Sequence, residues 1–406
     1  LSGTVTIPAG STSGTFSITP TADSLNEGLE GIKVTVFDGS LKAIGSSSAL
    51  ISNTASVASS TTTLTGTADV IATGAGDDTV SGIIQATMAN VATTANAGDV
   101  VDGGAGTDTL KIAATGDDGG ANQTLSALET NNVEILSVNN FATGAGTHII
   151  DGLLMTGLTS VGLNASSAAG DTKFDNIGNI VDVFMKNGSA NLEVVYVATT
   201  VVGTADVQSV TLQGVSNSTT NLTIAGVETL NVATTGSLSK LNSIVAANTT
   251  TLNISGDQDL TIGTVPATAG TIDASGLSGD LTVTSTFTPA AASLTGGSGN
   301  DSITVASGEL TATVTYDGGA GTDTLILAAP ADWNLLTYAN VSNFEVLGAA
   351  TIGTYDYSKL AGGVAVLSAD ASDTNGSVIF SNMPSSSTGT IIGTEGMDLL
   401  LAQDSA

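Results

Sequence analysis

The residues of this sequence with the clearest chemistry are aspartates set among glycines. The nine residues Asp-Gly-Gly-Ala-Gly-Thr-Asp-Thr-Leu occur twice without a change, at positions 102–110 and 317–325. Glycines permit positive φ angles and expose backbone carbonyls, and aspartates add carboxylates, so the motif offers the oxygen ligands that Ca²⁺ prefers. The pattern Gly-Gly-x-Gly-x-Asp followed by an apolar residue is typical of calcium-binding parallel β-helices. The sequence therefore predicts calcium as a cofactor.

Related segments precede the two copies, at residues 74–80 and 296–303. Asp69 precedes Asp78 by nine residues, and Asp99 precedes Asp108 by nine. This phase predicts that successive half-coils present their ligands on the same edge of the protein. The predicted aspartate ligands are Asp69, Asp78, Asp99, Asp102, Asp108, Asp301, Asp317, Asp323 and Asp398. The glycines predicted to form their turns are Gly74, Gly76, Gly104, Gly106, Gly297, Gly299, Gly319 and Gly321.

A second short motif follows each copy, at residues 132–136 and 343–347, and residues 226–230 give a third example. Each carries a glutamate, namely Glu134, Glu345 and Glu228. We expect these glutamates to mark a structural register rather than to bind calcium.

The elements that must position these motifs are short strands. Runs such as residues 210–212 and 251–254 alternate β-branched and apolar residues, as half-buried strands do. Runs centred on Leu212, Leu230 and Leu252 recur at nearly regular intervals, each of which matches the length of one coil of a β-solenoid. Stacked coils bury their inward side chains against those of the neighbouring coils. The sequence therefore predicts an all-β fold of parallel β-solenoid or β-roll modules, with a turn or two of helix at residues 124–130 and 331–336.

Composition restricts the function. The 406 residues carry 37 acidic and 7 basic side chains, a net charge of −30, which opposes binding to nucleic acid. Intrinsic disorder is contradicted by 41% hydrophobic residues. No apolar run approaches the roughly 18 residues that a transmembrane helix needs.

The same composition argues against an enzyme. Cysteine is absent and His148 is the sole histidine, so few residues are available for acid–base or nucleophilic chemistry. Paired carboxylates could serve glycoside hydrolysis. However, the sequence has no arginine and only 3% aromatic residues to hold a sugar.

The glycine–aspartate motifs resemble those of RTX (repeats-in-toxin) proteins. Together with the glutamate motifs and residues 273–281, they resemble the Caulobacter-like RTX surface-layer proteins of Gram-negative bacteria. The resemblance implies a secreted, extracellular protein exported by a type I system, whose copies self-assemble into a lattice or filament on the cell surface. It also implies a polysaccharide anchor on the cell. A segment of a large RTX adhesin, binding host or matrix ligands, is the alternative.

Residues 1–57 resemble the later half of a Calx-β domain, a small β-sandwich whose opening strands are missing here. We expect those strands to come from outside this sequence or from a neighbouring molecule. The predicted organisation is a partial sandwich at residues 1–57, an RTX-type module at 58–165, a central solenoid at 166–290 and a second RTX-type module at 291–406.

Overall fold

The computed structural model describes residues 29–37, 43–52, 58–85, 93–167, 170–288, 291–335, 340–351, 353–356, 366–369, 378–383, 390–393 and 401–404. These residues form β-strands joined by turns, with a 3-10 helix, η1, at Pro330–Leu335. The strands in the first half of the chain are β1 (Leu29–Phe37), β2 (Ala43–Ser52), β3 (Thr61–Thr63), β4 (Val70–Ala72), β5 (Thr79–Gln85), β6 (Val100–Asp102), β7 (Thr109–Thr115), β8 (Gln123–Leu125), β9 (Glu129–Asn131), β10 (Ile135–Asn140), β11 (His148–Asp151), β12 (Ser160–Asn164), β13 (Thr172–Ile177), β14 (Asp182–Lys186), β15 (Leu192–Tyr196) and β16 (Val207–Gln213). Those in the second half are β17 (Asn221–Ile224), β18 (Thr229–Thr234), β19 (Ser239–Val245), β20 (Thr251–Gly256), β21 (Leu260–Thr264), β22 (Thr271–Leu277), β23 (Leu281–Ser285), β24 (Ala292–Thr295), β25 (Ser302–Val305), β26 (Val314–Asp317), β27 (Thr324–Leu327), β28 (Val341–Ser342), β29 (Val346–Ala349), β30 (Gly353–Asp356), β31 (Val366–Ala369), β32 (Val378–Met383), β33 (Thr390–Gly393) and β34 (Leu401–Asp404).

Two long parallel sheets form the body of the protein. Sheet I contains thirteen strands in the order β28-β26-β24-β22-β20-β18-β16-β14-β12-β10-β7-β5-β3, and sheet II contains thirteen in the order β33-β31-β29-β27-β25-β23-β21-β19-β17-β15-β13-β11-β8. From β10 to β29 the chain alternates between the two sheets, so each of these coils adds one strand to each sheet. This arrangement is a parallel β-solenoid, and the predicted all-β fold class is confirmed.

Smaller sheets flank this body. A third parallel sheet, β4-β6-β9, adds a strand to the first coils, and β30-β32-β34 form another three-stranded parallel sheet. Strands β1 and β2 pair antiparallel. They lie in the segment for which the sequence predicts a partial β-sandwich, while residues 1–28 of that prediction lie outside the described residues.

The core lies between sheets I and II. Side chains alternate between buried and exposed along each strand, as in β18, where Leu230 and Val232 are buried. Leu230 lies opposite Leu252, and Leu252 lies opposite Ile272, so equivalent positions in successive coils stack. The interval from Leu230 to Leu252 is therefore one coil, as predicted. Leu212 lies opposite Thr234 instead, so the shorter interval from Leu212 to Leu230 is not a coil length.

Two of the local predictions have opposite outcomes. The predicted helical turn at residues 331–336 is largely confirmed by η1. The predicted helix at residues 124–130 is wrong, because this segment contributes to β8 and β9, which join parallel strands of neighbouring coils. Ladder hydrogen bonds of the stack thus outweigh the local helical preference.

The sheets also run across two of the predicted domain boundaries. Strands β12 and β14 pair on either side of residue 165, and β22 and β24 pair on either side of residue 290.

Among the described residues, no helix is long and apolar enough to cross a membrane.

Each coil has two corners, at the two edges of the flattened stack. We call the residues immediately before a strand of sheet I corner I, and those immediately before a strand of sheet II corner II. The first nonapeptide ends where β7 of sheet I begins, and the second ends where β27 of sheet II begins. The two identical sequences therefore lie at opposite corners.

Candidate functional site

The first copy of the nonapeptide is the middle layer of three stacked turns at corner I. The backbone N–H of Asp78 donates to Asp108 Oδ1 at 2.7 Å, and the N–H of Asp108 donates to Glu134 Oε2 at 2.7 Å. Each acidic side chain thus accepts a backbone amide from the preceding coil. Asp78, Asp108 and Glu134 each lie immediately before a strand of sheet I. The hydrogen bonds between them therefore keep these strands in register.

The second copy repeats this geometry at corner II. The N–H of Asp301 donates to Asp323 Oδ1 at 2.7 Å, and the N–H of Asp323 donates to Glu345 Oε2 at 2.9 Å. Glu134 and Glu345 therefore occupy equivalent places at the end of each stack. Glu228 makes a similar contact, since its Oε2 accepts the N–H of Asp206 at 2.9 Å. These hydrogen bonds give the three glutamates a structural role.

The aspartates that open the nonapeptides hold the turn itself. Asp102 Oδ1 accepts the N–H of Gly104 at 3.1 Å and Asn132 Nδ2 at 2.9 Å. In the second copy, Asp317 Oδ1 accepts the N–H of Gly319 at 3.1 Å and Asn343 Nδ2 at 2.7 Å. Asn132 and Asn343 have φ angles of 51° and 54°, a conformation that asparagine tolerates better than most residues.

The central aspartate of each copy has one carboxylate oxygen that accepts no hydrogen bond. Asp108 Oδ2 and Asp323 Oδ2 are buried and have no hydrogen-bond partner. The aspartates one layer earlier differ, because Asp78 accepts the N–H groups of Ser60 and Gly74 on its two oxygens. Asp301 likewise accepts those of Leu281 and Gly297. An unpartnered carboxylate oxygen inside a protein is costly, so the middle layer is where a cation would stabilise the structure most.

The electrostatics agree with this difference at corner I but not at corner II, where burial also raises the pKa of Asp301. Burial, with the nearby charges of Asp301 and Glu345, raises the pKa of Asp323 to about 6. Burial also raises the pKa of Asp108, and the nearby charge of Glu134 adds to the effect. By contrast, hydrogen bonding from Ser60 lowers the pKa of Asp78.

A glycine is required beside each unpartnered oxygen, because the neighbouring layer packs directly against it. A Cβ atom on Gly103 would lie 2.0 Å from the carbonyl oxygen of Asn132 and 2.6 Å from Asp108 Oδ2. On Gly318 it would lie 1.9 Å from the carbonyl oxygen of Asn343 and 2.9 Å from Asp323 Oδ2. Each corner thus brings a carboxylate and a carbonyl oxygen together. Both are oxygen donors of the kind that calcium accepts, and they supply two of the roughly six to eight ligands that the ion takes.

The predicted turn glycines let the layers approach one another. A Cβ on Gly104 would lie 2.0 Å from the carbonyl oxygen of Gly74, and one on Gly106 would lie 2.6 Å from that of Gly76. The second copy shows the same contacts, from Gly319 to the carbonyl oxygen of Gly297 at 2.3 Å and from Gly321 to that of Gly299 at 2.1 Å. A packing role whether or not an ion is bound is thus shown for Gly104, Gly106, Gly297, Gly299, Gly319 and Gly321, whereas a Cβ on Gly74 would meet only Asp78 Oδ2, at 3.9 Å.

The nine-residue phase does not stack the aspartates as predicted. Asp69 lies one coil from Asp99, its N–H donating to Asp99 Oδ1 at 2.9 Å across 30 residues. Asp78 and Asp108 are also 30 residues apart. A step of nine residues therefore leads around the coil to the next corner, so successive half-coils do not present these residues on one edge. The remaining predicted ligand, Asp398, lies outside the described residues.

Asp69 and Asp99 are occupied by local hydrogen bonds. Asp69 accepts the N–H of Thr65 at 2.6 Å, and Asp99 Oδ2 accepts that of Asn96 at 2.6 Å. Among the residues that the structure describes, no three His, Cys, Asp or Glu side chains form a group that could hold a metal ion. Calcium at these corners would therefore rely on backbone carbonyls as well as on Asp108 or Asp323.

Comparison with known proteins adds no relative. No protein-family model matches the sequence, and no curated protein matches it significantly.

Proposed function

We propose that this chain is a calcium-dependent structural protein of the bacterial cell surface that assembles with copies of itself. The observation that carries the proposal is the pair of buried, unpartnered oxygens, Asp108 Oδ2 and Asp323 Oδ2, at equivalent positions of a duplicated turn. The cell-surface location and the export by a type I system rest on the resemblance of the motifs to those of RTX surface-layer proteins.

Calcium acts in this proposal by joining coils. Asp108 and Asp323 would each offer one free oxygen to the ion, together with the carbonyl oxygens of Asn132 and Asn343. A divalent cation offsets the repulsion between the acidic layers, and its binding energy adds to the stability of the folded state. Because the net charge of the chain is −30, the cation also reduces repulsion between neighbouring molecules. This double effect couples folding to assembly.

The test compares the wild type with an Asp108→Asn, Asp323→Asn double variant. Asparagine keeps one oxygen to accept the N–H of Asp78 or Asp301 but removes the charge that holds the ion. We expect calcium to raise the melting temperature of the wild type and to leave the double variant nearly unchanged. Glu228→Gln is the matched control, because Glu228 makes the same type of amide contact without a buried, unpartnered oxygen and should keep the full calcium response.

Electron microscopy of the same samples tests the assembly. Ordered sheets or filaments are expected for the wild type in calcium and should disperse in excess EGTA. Unchanged melting of the wild type in EGTA would contradict the calcium part of the proposal. Monomers at every calcium concentration would contradict the assembly part and favour the adhesin alternative.

A further inference from the structure

A third, altered copy of the nonapeptide lies at residues 144–150. The residues Gly-Ala-Gly-Thr-His-Ile-Ile match Gly-Ala-Gly-Thr-Asp-Thr-Leu of residues 104–110, with His148 in the place of Asp108. Ile150 then takes the place of Leu110. This copy is at corner II, because β11 belongs to sheet II.

The structure supports this correspondence. His148 and Ile150 are both 0% exposed, as Leu110 is, and Asp108 is 2% exposed. The backbone of the turn differs, since Gly104 and Gly106 have φ angles of 86° and 131°, whereas the equivalent glycines of the altered copy do not have positive φ. The corner therefore presents an imidazole where the other copies present a carboxylate.

The imidazole has no hydrogen-bond partner. Both Nδ1 and Nε2 of His148 are buried and unpartnered. Along the stack its backbone lies opposite Gln123 and Thr172. The hydroxyl of Thr172 already accepts Asn140 Nδ2 at 3.1 Å. A neutral imidazole can remain in such a place, but a charged one would be buried without an ion pair.

One carboxylate faces this site. Asp118 is buried and accepts the N–H groups of Gly120 at 2.7 Å and Gly146 at 3.0 Å. Strand β8 carries no ionisable residue, and on β13 Lys173 pairs with Asp175 at 3.4 Å, both on the outer face.

Two further acidic side chains lie in the turns around the site. Asp117 is exposed, and Asp171 Oδ1 accepts Asn191 Nδ2 at 2.7 Å. Burial lowers the pKa of His148 below its ordinary value, and the charge of Asp118 opposes that effect.

We propose that His148 makes this corner a proton-sensitive joint, at which uptake of a proton by the buried imidazole opens the coils of residues 116–167 and 170–172. The sign follows from the lowered pKa. The folded state binds the proton more weakly than the unfolded chain, so the contribution of His148 to stability is complete above the ordinary histidine value of about 6.5. It is lost as the pH falls from there towards the folded-state value.

The first test is NMR of wild-type protein labelled with ¹³C-histidine. Because the sequence holds a single histidine, its imidazole gives one signal that needs no assignment. We expect a titration midpoint below 6.5, and a further decrease in Asp118→Asn, where the favourable charge is removed. A midpoint at or above 6.5 in the wild type would overturn the proposal.

The second test is hydrogen exchange, read by mass spectrometry and corrected for the intrinsic pH dependence. Protection of residues 116–167 and 170–172 should fall by up to about tenfold for each unit of pKa depression, while residues 207–285 serve as the internal reference. His148→Gln should abolish this acid-induced loss. Thr172→Val should lower protection equally at all pH values, because it removes only a neutral hydrogen bond.

If acid lowers the protection from hydrogen exchange equally in the wild type and in His148→Gln, other groups open these coils. That result would refute the role of His148. The comparison is made in EGTA and again in calcium, since His148 is not among the proposed calcium ligands. Loss of the calcium response in the wild type with an intact histidine response would refute only the proposed function.

Discussion

Asp108 and Asp323 occupy the same position of the same nine-residue sequence, yet they lie at opposite corners of the coil. Both accept a backbone N–H from the preceding layer at 2.7 Å, and both leave Oδ2 buried without a partner. Each copy ends immediately before a strand of a parallel sheet, which belongs to sheet I in one case and to sheet II in the other. The chemistry of the motif is thus independent of the sheet that follows it.

Neighbouring layers of one stack should respond differently to loss of charge. In EGTA, Asp78→Asn should destabilise the protein by about 1–3 kcal/mol, because both oxygens of Asp78 accept backbone amides and asparagine has only one. Asp108→Asn should have no such cost, since its second oxygen is unpartnered. Urea unfolding measures the free energy of unfolding of both variants. An equal decrease in the two would contradict the proposed difference between Asp78 and Asp108.

The glycines beside the unpartnered oxygens should not tolerate a methyl group. Gly103→Ala and Gly318→Ala would place Cβ about 2 Å from a backbone carbonyl oxygen, so we expect each to destabilise the protein by about 1–3 kcal/mol. Gly178→Ala is the control, because nothing lies within 4 Å of its added Cβ. Thermal melting should separate the three, and a neutral Gly103→Ala would show that the layers are less closely stacked than described.

Replacing a buried, stacked leucine by alanine should lower the stability of the protein far more than replacing an exposed one. Leu252 is 0% exposed and Leu238 is 48% exposed. Leu252→Ala should cost about 2–5 kcal/mol, and Leu238→Ala should be nearly neutral. Chemical denaturation of the two variants checks the position of the core, which would be wrongly placed if the two losses were similar.

Glu309 should stabilise the fold in acid and destabilise it at neutral pH. Burial raises its pKa, while its Oε2 accepts the hydroxyl of Ser285 at 2.8 Å. The folded state therefore binds this proton more tightly than the unfolded chain, and the contribution is lost as the pH rises through the folded-state value. We expect Glu309→Gln to raise the melting temperature at pH 7.5, with a gain that shrinks towards pH 4. A constant difference at every pH would indicate that the charge of Glu309 is not the cause.

The sequence predicts the architecture well because stacking repeats a local pattern. The spacing of Leu230 and Leu252 equals the coil length, so the coil can be recognised from apolar residues alone. The stacking of Asp78 on Asp108 cannot be recognised from apolar spacing, because it depends on a longer coil that includes a strand of the third sheet. Only the length of the complete coil determines which turns become neighbours.

The sequence indicates where the acidic turns lie, and calcium binding by them stays a prediction. Asp108 and Asp323 are at the place where the motif suggests, but Asp78, Asp102 and their equivalents accept backbone or amide groups that local sequence does not reveal. By sequence alone, His148 is a poor candidate for catalysis. Its signal was present in the sequence, since the glycine spacing of residues 144–147 continues into the histidine. The structure adds that His148 is buried, which the sequence match does not show.

The coil spacing also has a consequence for how the chain acquires its structure. Cross-coil hydrogen bonds at the corners join residues 20 to 30 positions apart, as between Asp78 and Asp108 or between Leu281 and Asp301. Each loop that must close is short, although the described residues are nearly all β, so the entropy lost on closing it stays small. Folding of such a stack can begin at any coil and spread to its neighbours. No step has to bring distant parts of the chain together, so the solenoid can form progressively as the chain becomes available.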